Sequence, residues 1–110
     1  SSHGFQDLTF NPTSKPKSID YGLLYLGIGD GAAALAGYPE LCKDESTIWG
    51  SIIRIDPRGR KSRKKQYGIP QDNPFVEVEG SVGEVWSNGF RNPHRLAWNA
   101  NGNKMLVSNI

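Results

Sequence analysis

No disulfide can close within this chain, because Cys42 is its only cysteine. Long hydrophobic runs are missing too. A spanning helix needs about 20 consecutive apolar residues, and no stretch here comes close. Ser1-Ser2-His3-Gly4 carries no signal-peptide pattern, so this end is silent on export. An excess of one charge is also lacking: the formal net charge is +2, too small to imply nucleic acid or another polyanion as partner. What the chain does have is thirteen glycines and seven prolines in 110 residues, with 36% hydrophobic and 22% charged residues. That is the composition of one small, turn-rich soluble domain.

Apolar, β-branched and aromatic runs bounded by Gly, Pro, Asn or Asp predict strands. They fall at Leu8–Phe10, stopped by Asn11-Pro12; at Tyr21–Gly29, ending at Asp30; at Trp49–Asp56, closed by Pro57 and Gly59; and at Val82–Trp86. A last hairpin joins Leu96–Trp98 to Met105–Val107 around Asn101-Gly102. Residues 31–48 form a long connection whose alanine-rich half suits a turn of helix ending before Pro39. Arg58, Arg60, Lys61, Arg63, Lys64 and Lys65 lack interleaved aromatics and read as a solvated loop tip. Tyr67–Phe75 is a proline-punctuated turn with aromatic ends to anchor it.

Two of these hairpins repeat. Leu8-Thr9-Phe10-Asn11 matches Leu96-Ala97-Trp98-Asn99, and Leu24-Tyr25-Leu26-Gly27-Ile28 is echoed by Met105-Leu106-Val107-Ser108-Asn109. Four strands separate one copy from the next, which is the number in a β-propeller blade. The fold expected is all-β, about one and a half blades. The 88-residue step from Leu8 to Leu96 exceeds the roughly 40 to 50 of common propeller repeats. The excess belongs to the loops at 11–20, 31–48 and 57–81.

Asn88-Gly89-Phe90-Arg91-Asn92-Pro93-His94-Arg95 is the stretch that presents chemistry. Gly89 and Pro93 interrupt strand pairing, so Arg91 and Asn92 stand on a turn between apolar runs. The plainer alternative has Arg91 capping a loop or pairing with a carboxylate. If the first two strands form an antiparallel hairpin, His3 and Asp30 share one rim. The repeat puts Arg91 and Asn92 at the rim position equivalent to His3, and in a propeller that rim opens on the central channel. His94 receives no role, Cys42 reads as a structural thiol, and Trp49, Trp86 and Trp98 read as packing.

LLYLGIGDG, GSIIRIDP, YGIPQDNPF and GFRNPHRLAW, in that order, resemble the glucose/sorbosone dehydrogenase family, soluble quinoprotein sugar dehydrogenases, over nearly the whole chain. The resemblance implies a six-bladed β-propeller, of which residues 1–110 would be a fragment truncated at both ends. It also implies oxidation of an aldose sugar at the anomeric carbon, with hydride passing to pyrroloquinoline quinone held by calcium. The implied partners are a small-molecule sugar and an external electron acceptor, in a periplasmic or extracellular setting. Roles follow by motif. His3 heads a family pattern filled further by Leu8, Phe10 and Pro12 and is the implied base, which suits a neutral imidazole. Asp30, ending GIGD, is the carboxylate that would fix its tautomer. Arg91 and Asn92 are the implied quinone contacts, whose N–H donors favour charge developing on a quinone oxygen. Calcium ligands are expected after Ile110, so no metal ligand is assigned within the chain. The alternative is a propeller of the same fold that binds a carbohydrate or protein partner without redox chemistry. Retention of all four site residues favours the enzyme.

Overall fold

The structure, a computed structural model, describes residues 4–31, 46–60 and 62–110. His3, Cys42, Lys61 and the expected turn of helix before Pro39 lie outside the described residues. The described strands are β1 (Phe5–Phe10), β2 (Leu24–Ile28), β3 (Ser51–Ile55), β4 (Val85–Asn88), β5 (Pro93–Trp98) and β6 (Met105–Asn109). β1 to β4 make one antiparallel meander in chain order, and β5 with β6 starts a second sheet. This is one four-stranded propeller blade followed by the first hairpin of another.

The expected repeat is present down to its register. Phe10 faces Leu24 as Trp98 faces Met105, and Leu8 faces Leu26 as Leu96 faces Val107. Both first strands shift register at the same place, Gln6 in β1 and His94 in β5. A bulge shared by two copies is a feature of the architecture, and it aims the residues just before it.

Most strand boundaries move by one to three residues; β1, for one, begins at Phe5 and not at Leu8. Tyr21 to Leu23 are turn residues rather than strand, and Gly22 has φ 76, so β2 begins at Leu24. The Val82 carbonyl accepts the N–H of Val85 at 3.1 Å, closing a turn where a strand is expected, and β4 starts only at Val85. Pro93 opens β5 instead of sitting within the turn. A proline is well placed as a first strand residue, where its missing N–H costs no ladder bond.

The core lies in the seam between the blade and the second hairpin. Tyr25, Ile52 and Leu96 are buried there, with Trp86, Phe90, Trp98, Met105 and Val107 packed around them. Tyr25 meets Trp86 and Trp98 edge-on, at centroid distances of 5.1 and 5.0 Å. Such pairs add about 0.5–1.5 kcal/mol each beyond their buried area. Trp86 and Trp98 therefore pack as expected. Trp49 does not: it stays 40% exposed.

At the end of the sheet away from Asp30, the long loops are fastened by polar side chains. Arg54, 4% exposed, donates from Nε to Asn73 Oδ1 at 2.6 Å, and the Asn73 amide returns two bonds, to the Arg54 and Gly83 carbonyls. Its Nη2 lies 2.7 Å from Asp72 Oδ1, an ion-pair contact off the hydrogen-bond line. Tyr67 donates to Glu84 at 2.6 Å, and that bond, with burial, pushes its hydroxyl up to about 12. Arg58, Arg60, Arg63, Lys64 and Lys65 are exposed on the 57–66 loop, as a solvated tip should be.

Asp20 ties the 11–20 loop to the next hairpin. Its carboxylate accepts from Ser14, Asn11 and Tyr25, and Asn11 also donates to the Gly102 carbonyl at 2.9 Å. Burial alone would raise this carboxyl, but the three side-chain bonds outweigh it and hold Asp20 below its ordinary value. A folded-state value below the unfolded one adds stability above the unfolded range and loses it as pH falls through the folded value. Asp20→Asn is expected to lower stability by about 1 kcal/mol at pH 7. In urea titrations its difference from wild type should shrink as the medium is acidified; a constant difference would remove the carboxylate from this role.

Candidate active site

Four backbone segments meet at one rim. The N–H of Gly29 donates to the Gly4 carbonyl at 2.8 Å, and Gly50 donates to Gly29 at 2.9 Å. Phe90 donates to the Gly50 carbonyl at 2.9 Å, and Asp30 donates to the Arg91 carbonyl at 2.8 Å. The start of β1, the end of β2, the start of β3 and the turn after β4 are thus knitted together. The backbone bond between Asp30 and Arg91 is the direct link between the two motifs expected to share a site.

Asn109, at the end of β6, holds the turn from the other side. Its Oδ1 accepts the N–H of Arg91 at 3.2 Å and of Asn92 at 2.9 Å, and the Ile110 N–H donates to the Asn92 carbonyl at 3.0 Å. Gly89, with φ 90, makes the entry to this turn possible, since that region suits glycine. Gly27 sets how closely β5 lies on the blade: a Cβ there would stand 2.6 Å from the Pro93 carbonyl oxygen. Any side chain at 27 would push away the strand that follows Arg91 and Asn92.

Asp30 is 1% exposed and Asn92 6%. The Asn92 Oδ1 is buried without a hydrogen-bond partner, an amide whose capacity is unfilled. Arg91 is half-buried and donates Nη1 to the Ile110 carbonyl at 3.0 Å. To that extent it does what the plainer alternative expects and caps a main-chain carbonyl. A guanidinium carries five N–H donors, so among the described residues most of its fork is left for another acceptor. The Arg91 donors fit an oxygen acceptor such as those of a quinone, whereas the unfilled Asn92 oxygen is itself an acceptor and fits a donor group. Among the described residues no group of three His, Cys, Asp or Glu side chains could hold a metal ion. No calcium site is assigned to them.

The structure therefore brings together Asp30, Arg91 and Asn92, while His3 lies outside the described residues. Sequence reasoning missed Asn109 and the bulge pair. His94 Nδ1 stands 3.2 Å from Gln6 Oε1, joining the first strands of successive sheets, and Asp7 Oδ2 accepts the Leu96 N–H at 3.0 Å across the same seam. The equal spacing of Gln6 and His94 from their repeated leucines was the available signal.

Residues 9–110 match the model of the glucose/sorbosone dehydrogenase family. Among curated proteins, the chain is 32% identical over 87 residues to the HIPL1 protein of Arabidopsis thaliana, covering 72% of this chain and 12% of that protein. It is 29% identical over 87 residues to the aldose sugar dehydrogenase YliI of Escherichia coli K12, covering 79% of this chain and 20% of that one. Among solved structures, a putative oxidoreductase (glucose dehydrogenase) of Thermus thermophilus superposes with a TM-score of 0.70 at 28% identity, over 96% of this chain and 26% of that one. The chain thus spans 12% and 20% of the length of these two curated relatives. Meander, repeated hairpin and structural likeness together make it part of a β-propeller.

Proposed function

Because this chain belongs to the glucose/sorbosone dehydrogenase family, we propose that the full protein oxidises an aldose at its anomeric carbon, with Asp30, Arg91 and Asn92 at the mouth of its channel and His3 as the base. The observation that carries this reading is the joining of Asp30 to the Arg91-Asn92 turn at one rim. In the reaction, the C1 hydroxyl gives its proton to neutral His3 as hydride leaves C1, and the sugar becomes a lactone. Pyrroloquinoline quinone, when bound, supplies the hydride acceptor, and an external acceptor later takes the electrons. Asp30 holds the His3 imidazole in one tautomer and stabilises its cation. In this reading Arg91 binds and orients the quinone through its guanidinium N–H donors, with Asn92 beside it on the same turn, so that little reorganisation is needed when charge moves. A periplasmic or extracellular setting is part of the same proposal and rests on the family relationship alone. Among the described residues no helix is long and apolar enough to cross a membrane.

Dye-linked oxidation of aldoses by the purified full-length protein tests this, with quinone and calcium added separately and together. Turnover that needs the quinone is expected. Saturable aldose or protein binding with no turnover under any addition would support the non-catalytic propeller instead.

A further inference from the structure

We propose that Trp49 is a sugar-stacking wall of this site, the aromatic surface on which the aldose ring rests beside Asp30; this builds on the dehydrogenase reading above. A lone exposed aromatic needs no explanation, so its surroundings must carry the case. Trp86 and Trp98 are spent on the core around Tyr25, whereas Trp49 is 40% exposed. It stands at the rim and not on a distant surface: the next residue, Gly50, is bonded through its N–H to Gly29 and through its carbonyl to Phe90. The indole lies over Gly31, immediately after Asp30. A Cβ at 31 would meet Cε3 and Cζ3 of the ring at 3.3 Å and Cη2 at 3.6 Å.

Gly31 has φ 63, a conformation that glycine adopts without strain, and the missing side chain leaves the space that the indole fills. One part of the ring is thus backed by main chain, which limits its motion, while the remainder stays open to solvent. That combination suits a pyranose. An aldose has an apolar C–H face and a polar hydroxyl edge, so a held aromatic surface can take the first while other polar groups of the rim address the second. A flat contact of this kind does not change with charge at C1. It should bind substrate and transition state alike, and so act on KM and not on kcat.

In the full-length protein, Trp49→Ala and Trp49→Leu should raise KM for the aldose about 10-fold, the loss of roughly one stacking contact, with kcat within about 2-fold of wild type. Trp49→Phe, which keeps an aromatic face, should recover most of the affinity. Gly31→Ala should also raise KM, because its Cβ crowds the indole. A second readout needs neither quinone nor turnover. Adding aldose to the quinone-free protein should shift tryptophan emission, and Trp49→Phe should lose that shift. Unchanged KM in Trp49→Ala, or a loss of kcat that Trp49→Phe does not restore, would overturn the assignment. If the wild type oxidises no aldose, the functional reading fails, and the emission titration still decides whether Trp49 meets sugar.

Discussion

Replacing Arg91 by lysine in the full protein is expected to lower turnover on an aldose by about 10²-fold, and to change KM much less. The side chain makes one bond that lysine could copy, Nη1 to the Ile110 carbonyl at 3.0 Å. Lysine keeps the charge and loses the planar fork, so it cannot cap that carbonyl and also offer two parallel donors to a quinone oxygen. The backbone should survive the change, because the turn is held by Asn109 Oδ1 and by the Asp30 N–H, neither of which involves the guanidinium. The loss therefore belongs to the step in which negative charge develops, and appears in kcat. Turnover equal to wild type would take Arg91 out of the chemistry and leave it as a carbonyl cap.

Arg54→Ala should be the most destabilising single change at the far end of the sheet, costing about 3 kcal/mol. Three effects act together there. A charge-assisted bond of 2.6 Å to Asn73 is lost, the Asn73 oxygen is left buried without a donor, and the space beside Tyr25 is emptied. The ion pair adds little to this sum, since Asp72 is 42% exposed and well solvated. Because Asn73 also bonds to the Arg54 and Gly83 carbonyls, the loss should loosen the whole 70–84 loop on β3. Asn73→Ala should reproduce much of the effect, and the double variant should fall well short of the sum, as members of one network do. Denaturant unfolding of the full protein reads all three; strictly additive losses would mean that the two side chains do not act as one clamp.

The two repeated hairpins were legible because local chemistry specifies them. Short apolar runs between Asn, Gly and Pro turns allow few other pairings, and a one-residue slip would have turned the buried Leu96 out of the core. The convergence of Asp30 with Arg91 and Asn92 was legible from two things together, the hairpin that returns strand ends to one rim and the repeat that sets Arg91 and Asn92 at the matching rim position. Val82 was misplaced because residue type cannot show that its carbonyl is taken by Val85 in a turn. Arg54 gave no sign of burial for a related reason: charged residues are rarely buried unless paired, and its partners lie 18 and 19 residues away, beyond any local pattern. Trp49 looked like packing by composition. Only the backbone path, which sets it over Gly31 at the rim, distinguishes it from Trp86 and Trp98.

His3 carries the chemistry in this account, so rapid mixing of the quinone-loaded full protein with aldose, wild type against His3→Gln, is the most direct test. Aldose protiated or deuterated at C1 should be compared in each, following the change in quinone absorbance. In wild type the first phase should be slower with the deuterated sugar, because the C1–H bond breaks in it. His3→Gln should slow that phase by about 10² to 10⁴-fold, the usual contribution of a general base, while quinone still binds saturably. A His3→Gln protein that reduces its quinone at the wild-type rate, or a first phase blind to deuterium in both proteins, would contradict it.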